Sequence, residues 1–186
     1  VGRNANLLLN FPVDQRGLVH ETDAANAIAM KQLIDRFTMT DVALRSTVNA
    51  SNVKDGFIAE NVNDDDASTF WATNDGVTTG SIQLDFGYPT PIQAIDISDH
   101  IQLGQRIRLF TVEVKKNRNW IEVANGTTVG HRRILVFDSI EADGVRINIK
   151  ESLGPITLET FKVYMTQPSQ GRILDADGGW CWFQDE

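Results

Sequence analysis

Between Asp41 and Met165 apolar and polar positions alternate in short runs: Ile82, Leu84 and Phe86; Ile95 and Ile97; Phe110, Val112 and Val114; Val145, Ile147 and Ile149; Phe161, Val163 and Met165. A period of two puts every second side chain on the same face, so each run reads as a half-buried strand. Turn-forming residues separate the runs at Gly87 to Pro89, Asn117 to Asn119, Asn125-Gly126 and Asp143-Gly144. Apolar runs at Ala43 to Thr47, Trp120 to Val123 and Ile134 to Phe137 bring the expected count to about eight strands, with no helical spacing after Phe37. Evenly spaced short strands with turns between them predict an all-β chain, an antiparallel jelly-roll β-sandwich over residues 40–166.

The leading residues follow another pattern. Asn6-Leu-Leu-Leu-Asn10 is a continuous apolar run, which predicts a strand buried on both faces. Pro12, Asp14 and Gly17 make a loop, and a helix is expected from about Thr22 to Phe37. Thr22 or Asp23 can cap it, and Ala27, Met30, Leu33, Ile34 and Phe37 form one apolar stripe. One strand and one helix do not make an independent domain, so residues 1–39 read as the tail of something larger. Residues 167–186 read as a linker and the start of a following module. Their Gly178-Gly-Trp-Cys-Trp-Phe183 run would leave apolar surface bare unless it is covered by the sandwich or by another domain.

Composition narrows the function. A net charge of −8 with no basic block argues against nucleic acid and anionic membrane as partners. Cys181 is the single cysteine, so no intrachain disulfide supports the core. No apolar run approaches the roughly 18 residues of a membrane span. The chain starts at Val1 without Met, as expected of a mature form or an excised piece.

The candidate chemistry centres on Asn61-Val-Asn-Asp-Asp-Asp-Ala-Ser-Thr-Phe-Trp71. Adjacent carboxylates repel unless water or a cation offsets them. The bland reading is a solvated acidic turn; the alternative is a loop of hard oxygen donors for Ca2+, pinned at one end by Phe70 and Trp71. His20, His100 and His131 show neither metal-ligand nor triad spacing.

In chain order, the acidic loop, Leu84-Asp-Phe-Gly87, Leu103-Gly-Gln-Arg-Ile107, Phe110-Thr-Val-Glu-Val114, Trp120-Ile-Glu-Val-Ala124, Gly126-Thr-Thr-Val-Gly-His-Arg-Arg133 and Val145-Arg-Ile147 resemble the discoidin, or coagulation-factor type C, domain. This is the galactose-binding domain-like jelly roll, here most similar to the version found in family 29 α-L-fucosidases. Asn4 to Pro12, Asp14, Gly17 to His20 and the helix resemble the last strand, loop and helix of the fucosidase catalytic barrel. The run at Gly178 to Asp185 is similar to the opening of a sialidase-like propeller module.

The resemblance implies a structural Ca2+ held by Asp64, Asp66, Thr69 and the carbonyl of Asn61. Thr160 stands at the last-strand position where relatives often have glutamate, and Asp65 stands where they have glycine. It also implies a carbohydrate site in the loops at one end of the sandwich, at Asn74, Asp75, Asp99, His100, Gln102, Gln105, Arg106, Ser152 and Leu153. Arg106 either contacts sugar or braces its loop against Asp99, while Trp71 and Trp120 are expected in the core. Galactose binders carry histidine where this chain has Ala72 and an aromatic near Leu153, so an ordinary galactose site is not expected. The retaining carboxylate pair of fucosidases lies upstream of Val1 in that family, so no catalysis is expected of this chain alone. The expected role is therefore a non-catalytic accessory domain of a secreted or periplasmic α-L-fucosidase, recognising terminal galactose- or fucose-type sugars of glycans and adjoining the catalytic domain. The alternative is a scaffold that packs on the barrel without binding sugar.

Overall fold

The computed structural model describes residues 2–165. Cys181 and the expected linker and following module at 167–186 lie outside the described residues.

The seven strands are β1 (Thr47–Ala50), β2 (Trp71–Ala72), β3 (Gly80–Asp99), β4 (Ile107–Lys116), β5 (Asn119–Gly126), β6 (Arg133–Ser152) and β7 (Thr157–Met165). They are joined in the order β2-β7-β3-β6-β4-β5, with β1 on β3, and every pairing is antiparallel. β3 and β6 pair twice, once through Gly80–Asp85 with Gly144–Ile149 and again through Thr90–Ile97 with Arg133–Ala142. The first pairing joins β1 and β4; the second joins β7. Between them β3 carries Phe86 to Pro89 opposite Asp143 alone, a bulge that bends the long strands. Gly87-Tyr-Pro89 and Asp143-Gly144 therefore do not end strands, as the sequence predicts, but fold two long strands over to close a sandwich.

The period-two residues meet between the two halves. Ile82, Leu84, Phe110, Val112, Val114, Val145 and Ile147 are buried, as are Ile95, Ile97, Leu158, Phe161 and Val163. Trp71 is fully buried among them, and its indole N–H donates to the Asn52 carbonyl at 2.9 Å. Trp120 is not in the core. It lies half-exposed on β5, with the Arg146 guanidinium 4.2 Å above its ring. Its alternation within β5 places it on the solvent side of an edge strand. The turn at Asn117 and Arg118 has φ of 52° and 69°, the doubly left-handed geometry of a two-residue hairpin.

The leading residues depart furthest from expectation. Residues 6–10 form no strand, and Leu8 is 92% exposed. A strand buried on both faces needs neighbours on both sides, and no described segment pairs with this one. Helix α1 (Glu21–Phe37) forms as expected, but its stripe is only half-buried. Its cap is His20, whose ring Nδ1 accepts from the Thr22 amide at 3.2 Å, rather than Thr22 or Asp23. Ala43–Arg45 makes a single 3-10 turn and the strand begins at Thr47.

Candidate functional site at one end of the sandwich

The antiparallel registers Ile107↔Ser152, Asp99↔Leu158 and Ala72↔Thr157 bring five strand ends together. The loops after β2, β3 and β6 thus share one end of the molecule, and the acidic loop enters the same end through β2.

In the acidic loop each carboxylate has turned to a different partner. Asp64 Oδ2 accepts from the Thr69 hydroxyl at 2.7 Å, Asp66 Oδ1 accepts from the Ser68 amide and hydroxyl at 2.8 and 2.7 Å, and Asp65 pairs with Lys162 at 2.5 Å. The Ser68 bonds hold the Asp66 carboxyl below its ordinary range. Asp65 has φ +62°, a left-handed conformation natural to glycine and tolerated by aspartate. That accounts for a position which the resemblance assigns to glycine. Thr69 Oγ1 also lies 3.5 Å from the Asn61 carbonyl and 3.0 Å from the Asp66 carbonyl. One carboxylate, two carbonyls and a hydroxyl thus converge, a hard-oxygen set of the kind that suits Ca2+. Asp66 contributes its backbone oxygen to this convergence while its carboxylate faces Ser68. Thr160 and Glu159 line the same groove as Asp66. Among the described residues no three acidic, histidine or cysteine side chains cluster, so the donor set carries little charge.

The predicted carbohydrate residues divide into two groups. Asn74, Asp75, Gln102, Gln105 and Leu153 are exposed, Leu153 at 68%. Asp75 pairs with Lys54 at 2.7 Å, and the Asn74 amide donates to the Asn52 side chain at 2.7 Å. Asp99, His100 and Ser152 are buried. Asp99 Oδ2 accepts from the Gly130 amide at 3.0 Å, and burial pushes its carboxyl up to about 6. The His100 ring stacks on Phe70 at 4.0 Å and 14°, and its Nδ1 is bonded to Glu159 Oε2 at 3.1 Å. Asp99 and His100 hold the loops from below, and all three side chains are turned away from solvent.

Arg106 is a brace: its backbone amide and its charge both act on the Asp99 carboxyl, and its side chain reaches further. Its guanidinium donates to the carbonyls of Leu103 at 3.2 Å and Pro155 at 2.9 Å, tying the β3–β4 loop to the β6–β7 loop. Thr73 and Ile156 exchange hydrogen bonds, which ties in the β2–β3 loop.

Sequence reasoning missed Lys162 and Asn4. Lys162 was legible, because alternation along β7 puts it on the face of Thr160, toward the acidic loop. Asn4 carried no signal. Its side chain accepts from the His131 amide at 2.8 Å and donates to Gln105 at 3.4 Å, stitching the leading segment to the loop end.

Strand order, long bent strands and a loop-built end define a galactose-binding-like β-sandwich. Residues 47–160 match the F5/8 type C domain model, and the chain belongs to that family. It is accordingly a non-catalytic, accessory-type domain. It is 27% identical over 169 residues to a candidate α-L-fucosidase of Oryza sativa subsp. japonica, with 88% of this chain aligned to 33% of that one. Alpha-L-fucosidase 1 of Arabidopsis thaliana is 26% identical over 172 residues, covering 89% of this chain and 34% of the relative. Among solved structures, a candidate α-L-fucosidase from Bacteroides thetaiotaomicron superposes with TM-score 0.85 at 32% identity, over 90% of this chain and 38% of that one. A Ruminococcus gnavus GH29 fucosidase in complex with fucose gives TM-score 0.81 at 28% identity, over 89% and 34% of the two chains. The chain thus spans about a third of the length of the curated relatives it matches. Among the described residues no helix is long and apolar enough to cross a membrane.

Proposed function

We propose that this chain is the accessory carbohydrate-binding domain of an exported α-L-fucosidase, secreted or periplasmic, and that its loop end recognises terminal fucose- or galactose-type sugars of glycans. One observation carries this reading. Exposed Asn74, Asp75, Gln102, Gln105 and Leu153 gather on loops that buried groups hold rigid, in a chain whose relatives include fucosidases. Planar amides suit sugar hydroxyls, and a shallow, rigid rim suits a terminal residue better than an internal one. Ca2+ is the cation we assign to the acidic loop, held by Asp64, Thr69 and the carbonyls of Asn61 and Asp66. It would lock the loop by replacing the Thr69 hydrogen bonds with coordination.

Calorimetric titration with fucose, galactose and oligosaccharides ending in either tests the assignment. Millimolar or tighter binding is expected, weakened by Gln102→Ala and Gln105→Ala. No heat at millimolar sugar from the folded chain would leave the scaffold role instead. For the cation, chelator should lower the melting midpoint, and an unchanged midpoint would remove it.

A further inference from the structure

We propose that His100 is a positioning residue: it transmits the order of the acidic loop to residues 101–106 and so couples the candidate cation site to the candidate sugar face. The inference deepens the reading above and rests on it for the identity of the two ligands, but not for the coupling itself.

A chain of contacts supports it. Thr69, whose hydroxyl lies at the centre of the converging oxygens, is followed directly by Phe70. The Phe70 ring lies nearly parallel on the His100 imidazole, 4.0 Å between centroids, and Phe57 flanks Phe70 at 4.7 Å. His100 is 6% exposed, so the imidazole side of this stack is enclosed, while Phe70 is half-buried. Its Nδ1 meets Glu159 Oε2 at 3.1 Å, and Glu159 is the residue that the β3–β7 register skips between Ser98↔Thr160 and Asp99↔Leu158. The bulge thus supplies an inward-turned carboxylate that orients the imidazole. The same histidine starts the sugar-face loop. Its amide donates to the Thr157 carbonyl at 3.3 Å, and its carbonyl accepts from the Leu103 amide at 3.0 Å, closing the Ile101–Leu103 turn. Leu103 in turn receives Arg106, which reaches on to Pro155. Thr69, Phe70, His100, Leu103, Arg106 and Pro155 are therefore continuous contacts, and a shift of the Phe70 ring acts directly on the imidazole. A packed stack of this kind holds discrete arrangements rather than deforming smoothly.

The experiment is amide hydrogen exchange, read separately at residues 64–69 and 101–106, in a double-mutant cycle of Thr69→Ala and His100→Ala. Thr69→Ala removes the oxygen-centre bonds without touching the sugar face. It is expected to speed exchange at 101–106 at least about fivefold, and to have no such effect when His100→Ala is already present. His100→Phe keeps the stack and loses the Glu159 bond, so it should restore part of the transmission; it also serves if His100→Ala fails to fold. A Thr69→Ala effect confined to 64–69, or equal effects at 101–106 with and without His100, overturns the proposal. Calcium chloride is the second probe. Slowing at both segments in the wild type, and at 64–69 alone in His100→Ala, supports coupling. Slowing at both in each overturns it. If calcium changes neither segment, the cation assignment fails and the Thr69 cycle alone decides the coupling.

Discussion

The sandwich and the leading segment are built from similar apolar side chains and treat them in opposite ways. Trp71, Phe110, Phe161 and Ile97 are fully buried, while Leu7, Leu9, Val13 and Leu18 stand 46–66% exposed and Leu8 reaches 92%. Helix α1 has no buried residue at all. The difference is one of partners. In the sandwich fixed registers bring the inner strand faces together around one core, whereas the described leading residues meet the rest of the chain mainly at Gly2 to Asn4 and at Phe37, whose ring is 5.8 Å from that of Tyr164. Stability follows apolar area removed from water, not apolar content, so equal substitutions in the two regions should have very unequal effects.

The largest test of that comparison is Trp71→Ala beside Leu8→Ala. The first removes a fully buried indole and its bond to Asn52, and should cost about 3–5 kcal/mol in urea unfolding. The second should change stability by less than about 0.5 kcal/mol. A comparable loss from Leu8 would mean that the leading segment is packed in solution and would erase the distinction.

The same contrast explains what was legible in the sequence. Alternation located β3, β4, β6 and β7, because a half-buried strand writes its orientation into every second residue. Ile95 and Ile97, read as a strand of their own, proved to be the second half of β3. A run such as Asn6 to Asn10 states only that it would be buried, not by what, so its strand assignment failed where the neighbours were missing. For the candidate site, the sequence shows which loops the residues lie on but not which of their side chains are buried. Loop placement puts Asn74, Gln102, Gln105 and Leu153 on exposed loops, but residue type does not tell whether a polar side chain faces solvent or turns down into a brace. Asp99 and His100 face down, as burial alone reveals.

Asp99 is a polar exception inside the well-packed region. Its folded carboxyl is raised from 3.8 to about 6 by burial, opposed by the Gly130 amide. A raised folded value means that the native state holds the proton more tightly than the unfolded chain. The stabilisation is therefore fully present below pH about 4 and is lost as pH rises through about 6. This residue alone should make the domain about 2–3 kcal/mol less stable at pH 7 than at pH 4. Asp99→Asn should remove that slope while leaving contributions from other groups. Urea unfolding at both pH values for the two proteins checks it, and an identical pH dependence would show that Asp99 is solvated.

The smallest effect is expected where burial is least. Lys162 and Asp65 meet at 2.5 Å, but their side chains are 31% and 65% exposed, so water screens the pair. Lys162→Met should cost about 0.5 kcal/mol at low salt, and less in high salt. Asp65→Gly loses the same pair, yet it relieves a left-handed backbone at φ +62° that costs a side-chain-bearing residue roughly 1 kcal/mol. The two substitutions should thus differ, Lys162→Met lowering the melting midpoint slightly and Asp65→Gly leaving it level or slightly raised. Equal losses from both would mean that the ion pair, and not the backbone turn, fixes the acidic loop. In that event an exposed contact would set local structure as strongly as a buried one.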